Sequence, residues 1–152
     1  MNTPITRRDA DAGRLDIVGV GLLAFGVYQI ALGLFMVVAP GTFFDELAAF
    51  GTRNDHYIQD LATFELPLGV MFLVAALKPR WRVPALVFGT LHWALHALSH
   101  LLDIGDADPE WLGPFDFIAI TVGTAVLGWL LWRSVSPKPG TESSRAPRCS
   151  PP

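Results

Sequence analysis

The stretch IVGVGLLAFGVYQIALGLFMVVA, residues 17–39, runs for 23 residues without a charged side chain. A helix rises about 1.5 Å per residue, so about 20 apolar residues cross a hydrocarbon core of about 30 Å. The stretch therefore predicts a transmembrane helix. It is longer than the roughly 7–15-residue apolar core of a signal peptide. No A-x-A cleavage pattern follows it.

Three more apolar stretches lie downstream. Leu61–Leu77 contains one charge, Glu65. Val83–Leu102 has only histidines as titratable groups, and Phe117–Trp132 has none. With their flanks, the expected spans are 16–39, 60–77, 83–102 and 115–133. The second and fourth are short and must borrow flanking residues or sit in a thinner region.

Composition agrees. The 152-residue chain is 51% hydrophobic and only 16% charged, against about 25% charged in soluble domains. Its mean hydropathy is +0.40. A soluble bundle would carry polar residues at helical spacing on its outer face, and these segments do not. The expected fold is an all-α, polytopic four-transmembrane-helix bundle over residues 15–133. Residues 1–14 form a polar N-terminus, and residues 134–152 a Pro/Ser/Thr-rich disordered tail that carries the single cysteine, Cys149.

Ten of the eleven basic residues fall on one side of such a bundle. They are Arg7, Arg8 and Arg14, then Lys78, Arg80 and Arg82, then Arg133, Lys138, Arg145 and Arg148; only Arg53 lies elsewhere. Basic loops mark the cytoplasmic side, so both termini are expected inside a bacterial inner (plasma) membrane. Loops 40–60 and 103–116 then face outward, and both are acidic. Trp81, Trp111 and Trp132 sit near the span ends, as interfacial aromatics do. Gly19, Gly21, Gly26 and Gly33 in span one and Gly123 and Gly128 in span four permit close helix packing.

The polar chemistry concentrates in LHWALHALSHLLD, residues 91–103. His92, His96, His100 and Asp103 share one helical stripe, since successive positions turn by about 100°. Intramembrane ionisable groups are functional candidates by default. Glu65, two residues before Pro67 in span two, lies at a depth close to that of His96. Tyr28 and Gln29 lie halfway along span one. In RNDHYIQD, residues 53–60, Asn54 or Asp55 caps the next helix, and His56 and Asp60 share a face at the mouth.

Imidazole and carboxylate suit a transition metal. His92, His96, His100 and Glu65 are the leading candidate ligands, with His56, Asp60 and Asp103 weaker ones. Two histidines also suit haem, although His56 is the only one off span three. Histidine–carboxylate chains relay protons as well. Neutral histidines also hydrogen-bond helices together with no ligand at all. The expected function is a metal- or haem-binding, redox-accessory membrane protein. The alternatives are a structural or interaction subunit and a proton relay or small transporter component. No catalytic residue is assigned, and an enzyme is the weaker expectation. Expected partners are the lipid bilayer and other membrane subunits or a second copy. Nucleic acid is not among them, because the basic residues are scattered along one membrane face.

The layout of four spans, with NDHYIQD before the second and H-x-x-x-H-x-x-x-H-x-x-D in the third, resembles small bacterial membrane proteins of the broad DoxX-like group, over about residues 15–133. Some DoxX-like proteins are linked to respiratory or thiol-redox complexes. This chain has no cysteine in its spans, so the resemblance implies no thiol chemistry of its own and carries over no catalytic residue.

Overall fold

The computed structural model describes residues 15–136. The polar N-terminus and most of the tail, with Cys149, lie outside the described residues. Four long helices dominate: α1 (Ile17–Val38), α3 (Asp55–Leu77), α4 (Arg82–Leu102) and α5 (Leu112–Val135). A short helix, α2 (Pro40–Leu47), follows α1, and a 3-10 turn (Pro79–Trp81) precedes α4. All four long helices are long and apolar enough to cross a membrane. Their outward faces carry Val27, Leu34, Phe64, Val70, Leu95 and Ile118. A helix apolar on both faces belongs in lipid, so this is a multi-pass membrane protein.

The second and fourth spans are longer than the hydropathy runs that announced them. Asn54 caps α3, its Oδ1 accepting from the Tyr57 N–H at 3.3 Å, so the helix starts at Asp55 and reaches 23 residues. Helix α5 starts at Leu112, brings Pro114 into its first turn, and reaches 24 residues. At about 1.5 Å per residue, both exceed 30 Å without borrowing from a thin region. Hydropathy misses both ends, because a first turn need not be apolar, but the capping residue expected in RNDHYIQD marks the start of α3 correctly. The outward loop expected over 40–60 holds a helix of its own ahead of the Asn54 cap. That helix, α2, begins at Pro40 and buries Phe43, edge-on to Phe35 at 5.7 Å.

Helix α1 packs along α3, and α4 along α5. Gly26 and Gly69 allow the first contact: a Cβ on either would lie 3.0 Å from the carbonyl oxygen of the other. Without a hydrophobic drive between helices in lipid, such close backbone approach supplies much of the packing.

The two ends of the bundle differ. At the basic end all four helices meet in one core built around Leu22, Phe72, Leu86 and Leu130. Arg82 also ties the start of α4 to the start of α1, its Nη1 lying 2.7 Å from Asp16 Oδ2. The other Asp16 oxygen caps α1 through the Gly19 N–H at 3.0 Å. Partial burial raises the Asp16 pKa, but the Arg82 and Gly19 hydrogen bonds and the Arg82 charge outweigh it. The carboxyl is held below its ordinary value. At the acidic end the core is a separate cluster of Met36, Phe43, Ile58 and Ala62, from α1, α2 and α3 only. There the loops meet instead, the Asp108 N–H donating to the Ala49 carbonyl at 2.9 Å beside an isolated Phe50–Ala107 bridge.

Candidate polar site in the bundle

Where the four-helix core ends, toward the acidic end, a cavity of about 850 Å³ opens between the two helix pairs. Pockets for small molecules commonly measure about 300–1,000 Å³. Its apolar wall includes Phe25, Tyr28, Met36, Phe43, Phe50 and Trp93. Gly123 of α5 admits Trp93, since a Cβ there would stand 2.1 Å from the indole ring. Phe25 meets that indole edge-on at 5.2 Å.

The polar wall is the histidine stripe with its partners. Glu65 is 4% exposed and Gln29 1% exposed, the only buried polar or charged residues among the described residues. Gln29 Nε2 donates to Glu65 Oε2. His92 Nε2 lies 3.2 Å from Glu65 Oε1. One carboxylate thus joins α1, α3 and α4 through both of its oxygens. The sequence reading set Glu65 level with His96. Glu65 lies ten residues from the start of α3, and His92 ten residues from the end of α4. At about 1.5 Å per residue, both are about 15 Å below the acidic end. The longer α3 moves the pairing one turn deeper, from His96 to His92.

Above this junction the rings form a column. His92 and His96 stack at 6.2 Å with planes 6° apart. His96 meets His100 edge-on at 4.7 Å, and Phe50 closes over His100 at 5.0 Å. His100 Nδ1 faces Asp116 Oδ2 across 4.0 Å. That is too long for a hydrogen bond, and both buried atoms lack a partner among the described residues. Asp116 escaped the sequence-based candidates because α5 was expected to begin at 115, which put it at the membrane surface. It stands one turn inside the helix.

Asp103 lies at the C-cap of α4 and lines the cavity at its rim. His56 and Asp60 do not line it. They pair with each other at 3.5 Å on the outer surface, with side chains 82% and 63% exposed. Helical geometry accounts for this: His56 precedes Glu65 by nine residues, about 180° round the helix at 100° per residue.

Among the described residues, no group of three or more His, Cys, Asp and Glu side chains is placed to hold a metal ion. A metal site needs donors that converge on one point. Here Glu65 spends its oxygens on Gln29 and His92, and the other donors follow one helix edge toward Asp116. All three cavity histidines come from α4, so bis-histidine ligation of haem from two helices is not available among them.

No protein-family model matches this chain, and neither a curated protein nor a solved structure does.

Proposed function

We propose that this chain is a bacterial inner-membrane protein, with both termini cytoplasmic, that binds a neutral, lipid-soluble small molecule in the outer half of its bundle. The observation that carries this reading is the cavity of about 850 Å³. It combines a wall of aromatic side chains with a few polar ones, among them His96, His100 and Asp116. Orientation rests on the basic residues of the termini and the 78–82 turn. The structural alternative is favoured for part of the stripe. Glu65, Gln29 and His92 satisfy one another and knit three helices, whereas His96, His100 and Asp116 are left to face the cavity. The four-span layout also supports kinship with the DoxX-like group, as a binding or accessory component of a larger membrane system.

Photolabelling in lipid nanodiscs with a diazirine-bearing long-chain alcohol tests the reading. Label is expected on cavity residues such as Phe25 and Trp93, and excess unlabelled alcohol should remove it. Label spread over lipid-facing Leu95 and Ile118 alike, with no competable component, overturns the proposal. Stoichiometric metal or a Soret band lost on Glu65→Gln would replace it with the metal or haem reading.

A further inference from the structure

The titratable side chains of the bundle are not spread along it. Among the described residues, 17–27 of α1, 66–77 of α3, 83–91 of α4 and 117–132 of α5 carry none. These segments take in the interior on the basic side, where Leu22, Phe72, Leu86 and Leu130 are each at most 1% exposed. Toward the acidic end the same helices hold Tyr28 from α1, Glu65 from α3, His92, His96 and His100 from α4, and Asp116 from α5. With Asp103 at the C-cap of α4, all of them line one cavity.

The groups on α4 and α3 are ordered in depth. Asp103 stands at the rim. The His100 and His96 rings follow, 4.7 Å apart, and then His92, 6.2 Å from His96. His92 Nε2 lies 3.2 Å from Glu65 Oε1. Glu65 is the last member, about 15 Å below the acidic end. The steps between ring centres exceed a direct hydrogen bond, and one water bridging neighbouring ring edges covers about 5–6 Å. A cavity of about 850 Å³ with these polar groups on its wall has room for such waters.

A neutral imidazole accepts a proton on one nitrogen and releases one from the other, which suits it to a relay. Gln29 Nε2 donates to Glu65 Oε2 whether or not the acid carries a proton, so Oε1 is the oxygen that titrates. The innermost step moves the Nε2 proton of a His92 imidazolium to Glu65 Oε1. It leaves a neutral ring and a carboxylic acid, and the reverse step returns the proton.

We propose that His100, His96 and His92 form a one-sided proton well, through which Glu65 exchanges protons with the acidic face and not with the basic one. Glu65 then carries the protonation state of that face to the point where α1, α3 and α4 meet. The well does not depend on what occupies the aromatic wall.

Infrared difference spectroscopy of the protein in lipid nanodiscs reads the acid. Acidification should raise a carboxylic C=O band that is missing in Glu65→Gln. After a rapid pH step, His96→Leu and the polar but non-titrating His96→Gln should each slow the rise of that band about hundredfold, the low end of what a positioned proton-transfer group supplies. The final amplitude should stay the same, whereas a purely structural role for His96 would alter amplitude or melting and leave the rate. His56→Ala, which removes a histidine outside the cavity, should not change the rate. A parent-like rate in either His96 variant that folds, or a Glu65 band that never appears, overturns the well.

Sidedness is read in proteoliposomes with a lumenal pH dye and a potassium diffusion potential. No proton uptake above that of protein-free vesicles is expected, because the path stops at Glu65. Sustained uptake that Glu65→Gln abolishes overturns the one-sided path.

Discussion

His92 of α4 and Glu65 of α3 meet at 3.2 Å, while Gln29 of α1 holds the other carboxylate oxygen. Both Glu65 and Gln29 are buried, so neither has water to fall back on. Glu65→Leu leaves the Gln29 amide without an acceptor and should destabilise the protein by about 1–3 kcal/mol. Thermal melting in detergent reads this. In a double-mutant cycle, Gln29→Leu with Glu65→Leu should recover about 0.6–1.7 kcal/mol of coupling. Additive effects would show that the contact does not hold the helices together.

Trp93 occupies the notch at Gly123. Gly123→Ala should push the indole toward the cavity and cost about 1–3 kcal/mol as overpacking. Trp93→Leu in the same chain should recover much of that loss. A melting temperature unchanged by Gly123→Ala would show that the notch is not filled.

Asp16 serves two partners at the basic end. Asp16→Asn keeps a capping side chain and loses the charge pairing with Arg82. Asp16→Ala loses both, and should cost about 0.5–2 kcal/mol for the cap alone. The Asp16 pKa is depressed in the folded protein. Its contribution is therefore present above the unfolded value, near about 4, and is lost as pH falls through the lower folded value. Melting from pH 7 to pH 3 should accordingly show a steeper acid loss in the parent than in Asp16→Asn.

His56 and Asp60 form an exposed pair away from the cavity. His56→Ala and Asp60→Ala should each change stability by less than about 1 kcal/mol and leave photolabelling of the cavity unaltered. Loss of labelling in either variant would return them to the site.

Orientation is checked by labelling in intact cells. With Cys149 replaced by Ser, Glu110→Cys should react with a membrane-impermeant maleimide from outside. In the parent chain Cys149 should react only after permeabilisation. The opposite pattern would invert the bundle.

Much of this protein is legible from local sequence. Hydropathy runs locate four membrane helices, because each must cover a fixed thickness of hydrocarbon with its own side chains. The spacing of His92, His96 and His100 places them on one face, because helical period is a local property. The same period, applied back from Glu65, turns His56 to the far side of α3. Tertiary structure alone decided who meets whom. The Asn54 cap that starts α3 is a local signal, but which histidine Glu65 meets depends on how far α3 and α4 slide along each other. The partner of His100 is Asp116, on a helix whose first turn reads as a loop. The cavity depends on a core shared by four helices at one end and by only α1, α2 and α3 at the other. Contacts such as Gly26 against Gly69 and Trp93 against Gly123 join residues far apart in the chain. No local pattern encodes the depth and angle at which those surfaces come together.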